Sequence, residues 1–202
     1  PHNLGETSSE KTIRVSYPDI VALPQLFKEK GYYTASFGKI FHNGQDDPVS
    51  WSQPHFDPPP LHYARPENLR KHPIINQSVP ENGSNPLVEA ADVEDAAYED
   101  GVTTEKAIEE NHRRAESDVP FFLMVGFHKP HSPFNAPQRD WDLYADVKIP
   151  LSPFPAQPKN APIKHTFHPS NYLRSFSDFP IEGPIPEEAA RRTRHAYLAC
   201  VS

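Results

Sequence analysis

The sequence places lysine and histidine close together twice. Lys39 and His42 are three residues apart, and Lys129 lies between His128 and His131. If the two groups converge, they supply two fixed positive charges and imidazoles that titrate near neutral pH. Such a set suits a dianion, because lysine neutralises charge on the equatorial oxygens while histidine moves the proton of the nucleophile or leaving group. The chemistry indicated is sulfuryl or phosphoryl transfer.

Each of these residues also has a simpler interpretation. A lysine after a strand is usually solvated, and a histidine in a loop is more often a hydrogen-bonded surface residue than a catalyst. Pro130 and Pro133 could serve only to make the turn around His131 rigid. Spacing alone therefore leaves the catalytic and the structural interpretations both open.

A metal site is a second chemical interpretation. His42, His128 and His131 could supply three imidazole nitrogens to zinc. Against this, His128 and His131 lie in a proline-containing loop, where the two rings need not face the same way. Asp46 and Asp47 resemble a pair of metal-binding carboxylates, but they precede a proline in a turn-like stretch, and we interpret them as structural.

The elements that would position these residues can be predicted from the same pattern. Residues 19–30 read as a short helix, with Pro24 near its start and Gly31 at its exit. Residues 32–37 are aromatic and β-branched, which predicts a strand that ends at Gly38. Lys39 and His42 then follow the carboxyl end of that strand.

A second helix and strand precede the second basic group. Thr103 or Thr104 is a candidate cap for a helix that stops near Asp118, and residues 121–127 form a continuous apolar run typical of a parallel strand buried on both faces. His128 follows this strand directly. Helix-then-strand units of this kind predict an α/β fold with a mostly parallel central sheet, in which ligands bind beyond the carboxyl ends of the strands.

The remaining stretches appear irregular. Residues 42–103 are polar and broken by proline, so we expect no more than a minor element there, and the acidic run 89–100 reads as a solvated loop or frayed helix. Residues 149–186 read as loop. A last helix is predicted to begin at Pro186 and to pack against the sheet. We expect residues 1–202 to form the interior part of one catalytic domain that is cut at both ends.

Composition restricts the possible partners. The net charge is −7 at pH 7, whereas binding to a nucleic-acid backbone needs a basic face. No apolar run approaches the roughly 18 residues of a membrane span. We therefore expect neither nucleic acid nor membrane as a partner.

Several ordered blocks of the sequence resemble the sulfatase family, and within it the iduronate-2-sulfatase type. The blocks are residues 23–32 (LPQLFKEKGY), 37–42 (FGKIFH), 46–52 (DDPVSWS), 120–134 (PFFLMVGFHKPHSPF) and 183–186 (GPIP). The resemblance implies an alkaline-phosphatase-like α/β fold and hydrolysis of sulfate esters, for which sulfated carbohydrates are the expected substrates. It also implies a calcium ion held by aspartate pairs, a formylglycine nucleophile, a formylglycine-generating enzyme as partner, and a secreted, periplasmic or lysosomal location.

The resemblance also assigns roles to individual residues. Lys39 would contact the sulfate and the formylglycine hydroxyls, and His42 would act on the hydroxyl proton that leaves when the sulfated intermediate collapses. His131 would bind the sulfate or protonate the departing alcohol. Lys129, and with it His128, would support the site by orientation or charge, with Lys129 a weaker candidate for substrate binding.

The sequence departs from the family pattern in two respects. The nucleophile motif Cys/Ser-x-Pro-x-Arg is absent, because Cys200 is followed by Val201 and Ser202. The aspartate pair and the later Asp-His motif that hold calcium are also absent, so no metal ligand and no nucleophile is predicted in this chain. We expect the chain by itself to be inactive. Alternatives are a catalytically dead remnant, an anion-binding protein, or a phosphatase or phosphonate hydrolase of the same superfamily.

Overall fold

The computed structural model describes residues 13–42, 45–69, 85–154, 160, 171–180 and 182–202. The chain forms two compact units. Unit 1 takes Pro1–Leu61 and Glu99–His128, and unit 2 takes His62–Tyr98 and Lys129–Ser202. Each unit contains one described sheet of two parallel strands, which confirms the parallel α/β class. Within the described ranges, no helix is long and apolar enough to cross a membrane.

The helices and strands of unit 1 follow the predicted helix-then-strand order. They are α1 (Ile13–Ser16), α2 (Leu23–Glu29), β1 (Tyr33–Gly38), a 3-10 turn (Pro48–Ser50), α4 (Glu99–Ala115) and β3 (Phe121–Gly126). The predictions of a helix in 19–30 and a strand in 32–37 are confirmed to within a few residues.

The core of unit 1 lies between β1, β3 and α4. Strand β1 pairs with β3 in parallel register, from Tyr33 opposite Phe121 to Gly38 opposite Gly126. Ala35, Phe37 and Ala107 form the buried cluster at this junction. The prediction that β3 is buried on both faces is wrong, because its residues are mostly half-buried and Val125 is 42% exposed.

Helix α4 begins earlier than predicted. It starts at Glu99, so Thr103 and Thr104 lie inside the helix and do not cap it. Their hydroxyls instead donate to the carbonyl groups of Glu99 (3.0 Å) and Asp100 (2.8 Å), four residues back. This return bond lets a threonine sit in the first turns of a helix without an unsatisfied hydroxyl.

Asp46 and Asp47 have structural partners, as predicted. Asp46 accepts a hydrogen bond from the Trp51 indole (2.9 Å), and Asp47 pairs with Arg14 and accepts from the Ser50 hydroxyl (2.5 Å). The Arg14 guanidinium, helped by the Ser50 hydroxyl, holds the pKa of Asp47 below its ordinary value despite burial. The two carboxylates thereby fix the segment that follows the Lys39–His42 group.

The described elements of unit 2 surround a second short sheet. They are α3 (Pro66–Leu69), β2 (Val88–Ala91), a 3-10 turn (Asp95–Ala97), β4 (Phe134–Pro137), α5 (Gln138–Asp142), α6 (Asn171–Arg174) and α7 (Glu187–Val201). Strands β2 and β4 are parallel, with Val88 opposite Phe134. The last helix was predicted from Pro186 onward, and α7 confirms it and packs against both strands.

Unit 2 also contains order that the sequence pattern did not predict. Strand β2 lies inside the stretch expected to hold only a minor element, and Glu89 of the supposedly solvated acidic run is 2% exposed. Phe176 and Phe179, from the stretch expected to be loop, join Leu87 and Ala196 in the core. The expectation of a solvated acidic run is wrong, because the burial of Glu89 depends on partners from distant parts of the chain. Strand β2, with four residues, is a minor element of the kind expected in 42–103, whereas the short helix α6 interrupts the stretch 149–186 that was expected to be loop.

Candidate active site

The end of β1 fixes Lys39 and His42. The Gly38 N–H donates to Phe56 O and the Lys39 N–H donates to Gly126 O, both at 2.8 Å, so the backbone is held on both sides as it leaves the strand. The Lys39 ammonium then lies 3.3 Å from Nδ1 of His42. Because an ammonium has only hydrogens to offer, His42 Nδ1 is the acceptor in this contact.

Two glycines allow the ends of β1 and β3 to approach closely. Gly38 has a φ of +68°, and a Cβ there would overlap Gly126 O and the Thr103 side chain. A Cβ at Gly126 would likewise overlap the Lys39 carbonyl. Lys39, directly after β1, and His128, two residues after the end of β3, therefore leave from adjacent backbone.

His128 is held by the first turn of α4. Its backbone N–H donates to Asp100 Oδ1 at 2.8 Å, and its ring Nδ1 lies 3.4 Å from Glu99 Oε1 and 3.9 Å from Asp100 Oδ1. Glu99 is only 5% exposed. Both carboxylates stand at a helix amino terminus, where negative charge is stabilised.

Lys39, His42 and His128 line one cavity of about 270 Å³ in unit 1. Its other polar lining residues come from the segments around the 3-10 turn and include Asp46, His55 and Asp57. The structure thus brings the first basic group together with His128. The cavity has the size and the positive groups needed for a small oxyanion.

His55 lines the cavity although no sequence pattern indicated it. Its Nδ1 lies 2.8 Å from the hydroxyl of Ser36, a fully buried residue of β1. The segment containing it runs beside β1, where the Phe56 N–H donates to Ser36 O at 3.0 Å and the Ser52 N–H donates to Thr34 O at 2.8 Å. A single histidine in a proline-rich stretch has no sequence pattern that marks it as a site residue. Its position depends on the backbone hydrogen bonds between its segment and β1.

Lys129 and His131 belong to unit 2. The Lys129 ammonium donates to the carbonyl of Pro133, and His131 Nδ1 lies 2.7 Å from the carbonyl of Ser132. The Lys129–Pro130 and Ser132–Pro133 peptide bonds are cis. His131 is exposed. Its convergence with Lys39 and His42 stays a prediction.

The one group of potential metal ligands found among the described residues is Glu99, Asp100 and His128, whose donor atoms lie within 4.8 Å of one another. Calcium requires six to eight oxygen ligands. This group offers two carboxylates and a nitrogen, and Asp100 Oδ1 already accepts a backbone N–H. The residues therefore do not fit the calcium ion that the resemblance implies. Among the described residues, His128 groups with these two carboxylates and not with His42, so the zinc alternative gains no support.

Cys200 lies on α7, where its thiol is 3.5 Å from the carbonyl of Asn135. It is half-buried against β4. This contact gives the cysteine a packing role in unit 2.

Comparison with known proteins agrees with the motifs. The sulfatase family model matches residues 1–202. The chain is 36% identical to iduronate 2-sulfatase of Mus musculus and 35% identical to that of Homo sapiens, over 94% of this chain in both cases. It is 29% identical over 91% of its length to a sulfatase of Formosa agariphila. The chain spans 36% of the length of each of these relatives. With its parallel α/β units and its Gly-Lys and His-Lys-Pro-His motifs, the chain belongs to the sulfatase family, as part of an alkaline-phosphatase-like fold.

Proposed function

We propose that the complete protein containing this chain hydrolyses sulfate esters, and that its substrates are sulfated carbohydrates. The observation that carries the proposal is the Lys39–His42 contact of 3.3 Å at the carboxyl end of β1, in a cavity lined also by His128. Membership of the sulfatase family and similarity to the two iduronate 2-sulfatases support the reaction class. From the family resemblance we also propose a secreted, periplasmic or lysosomal location.

Lys39 and His42 have complementary tasks in this proposal. The ammonium of Lys39 neutralises charge on the sulfate oxygens, which matters most in the transition state, where that charge is redistributed. His42 would move the proton of a hydroxyl group bound in this cavity. Proton transfer by a positioned histidine typically contributes about a hundredfold to ten-thousandfold in rate.

His131 and Lys129 complete the basic set. We assign His131 to binding the sulfate or protonating the departing alcohol. Its side chain is exposed, so a ligand can reach it. The Lys129 ammonium donates to the Pro133 carbonyl, so it holds the turn that carries His131. Lys129 thus acts mainly by orientation.

A formylglycine, when present, supplies the nucleophilic hydroxyl in sulfatases. This chain contributes no residue to it, since Cys200 lacks the following Pro and Arg of the motif. A formylglycine-generating enzyme is therefore a partner of the complete protein. No step is assigned to calcium, because Glu99, Asp100 and His128 do not fit it.

The test is expression of the complete protein with a formylglycine-generating enzyme and assay with 4-nitrophenyl sulfate. Lys39→Ala and His131→Ala should each lower kcat/KM by about a hundredfold or more, since each removes charge stabilisation or proton transfer. Lys148→Ala and His112→Ala, which change exposed residues of the same types, should stay within about twofold of wild type. Faster hydrolysis of 4-nitrophenyl phosphate than of the sulfate would assign the protein to the phosphatases instead.

A further inference from the structure

We propose, building on the sulfatase function above, that His128 is a further anion-binding group of the sulfate-binding cavity and that Glu99 is the residue that positions it. His128 lines the same cavity as Lys39 and His42. In this role His128 would contact the anion itself. Lys129, by contrast, donates to the Pro133 carbonyl of its own turn.

The proton of His128 can be placed from its surroundings. Its Nδ1 is buried and makes no hydrogen bond within the described part of the chain, and the nearest acidic oxygens belong to Glu99 and Asp100, at 3.4 and 3.9 Å. A lone pair on Nδ1 would face two carboxylates and be repelled, so Nδ1 carries the hydrogen. Nε2 is then the ring nitrogen left for an anion in the cavity that His128 lines, and it can bind one only through an N–H, when that nitrogen carries a proton.

Glu99 and Asp100 fix the backbone and the ring of His128 separately. Asp100 Oδ1 accepts the backbone N–H, which sets where His128 leaves β3, while Glu99 faces the ring. Glu99 is 5% exposed, and a buried carboxylate requires compensating partners. The His128 ring, with Nδ1 3.4 Å from Glu99 Oε1, is one such partner, and this contact sets the orientation of the ring.

The other charged residues that line the cavity are compatible with anion binding by His128. Lys39 is the ammonium of the cavity lining, and Asp46 and Asp57 are its acidic residues. Asp46 is occupied by the Trp51 indole and the Asp47 N–H, and Asp57 is exposed. An N–H of the His128 ring would therefore add to the Lys39 ammonium in holding a sulfate dianion.

The experiment measures binding of inorganic sulfate to the complete protein by titration calorimetry, which needs no turnover, together with kcat and KM for 4-nitrophenyl sulfate. His128→Asn should weaken sulfate binding about tenfold, as expected for loss of one charged hydrogen bond. In the same variant, KM for 4-nitrophenyl sulfate should rise by a larger factor than kcat falls.

Glu99→Gln should weaken sulfate binding several-fold, and Glu99→Asp should recover part of that loss because it restores the charge. His112→Asn, on an exposed part of α4, should bind sulfate like wild type.

Two results would overturn the proposal. One is sulfate affinity in His128→Asn within twofold of wild type. The other is an equal loss of sulfate affinity in Glu99→Gln and Glu99→Asp together with a fall in Tm in both variants. That result would mean that Glu99 stabilises the fold and does not position His128. If the protein lacks sulfatase activity but sulfate binding still falls in His128→Asn, the proposed function fails and this inference stands.

Discussion

At the scale of single residues, buried carboxylates organise both units. Glu99 of unit 1 faces the His128 ring. In unit 2, Glu89 is 2% exposed and accepts hydrogen bonds from the Ala64 N–H (2.7 Å), the Asn68 amide (2.6 Å) and the Tyr98 hydroxyl (3.0 Å). Burial first, and then the Glu89 carboxylate, raise the pKa of Tyr98 above its ordinary range, so this hydroxyl stays a donor.

The Glu89 network predicts a large effect of a small change. Glu89→Gln replaces one acceptor oxygen with an NH₂ group that would face donors, leaving buried donors unpaired. We expect the free energy of unfolding to fall by about 2 to 3 kcal/mol, measured by urea denaturation. Glu94→Gln is the matched control, because the Glu94 side chain is 95% exposed, and it should change stability by less than about 0.5 kcal/mol. Equal effects of the two variants would contradict the assigned role of Glu89.

At the scale of elements, the closeness of β1 and β3 brings Lys39 and His128 to one cavity. The sequence predicted this pair of elements well, because each has a local signal: an aromatic run ended by Gly38 for β1, and an apolar run of strand length for β3. It did not predict β2 and β4. Those strands have four residues each and carry Glu89 and Asn135, polar side chains that hide the strand pattern.

The glycine at the end of β1 allows a matched test of this closeness. Gly38 and Gly31 both have positive φ, +68° and +87°, but a Cβ has no atom within 4 Å at Gly31 and lies 2.8 Å from Thr103 Cγ2 at Gly38. Gly31→Ala should cost about 1 kcal/mol, from backbone conformation alone. Gly38→Ala should cost about 2 to 4 kcal/mol, because the strand ends must also separate. Guanidinium denaturation of both variants measures the difference, and equal losses would mean that close approach is unimportant.

At the scale of the whole molecule, this chain holds part of the proposed catalytic apparatus. It has the Lys39–His42 pair and the His131 turn, but no Cys/Ser-x-Pro-x-Arg motif. It spans 36% of the length of the iduronate 2-sulfatases that it resembles.

We therefore expect the 202-residue chain by itself to release no 4-nitrophenol from 4-nitrophenyl sulfate, because no residue in it supplies the nucleophilic hydroxyl. The complete protein, assayed in parallel with its formylglycine formed, is the positive control. Turnover by the chain alone that disappears in Lys39→Ala would show that the basic residues can use water directly and would contradict this prediction.

The sequence by itself determined the α2–β1 and α4–β3 order, the final helix and the Lys39–His42 pair. Each depends on residues a few positions apart, where periodicity, glycine and proline act locally. Only the tertiary structure decided that Glu99 faces His128, that His55 bonds to Ser36, and that Glu89 is buried. The partners in these contacts are mostly about 20 to 30 residues apart in the chain, so burial and charge there depend on how strands and helices pack.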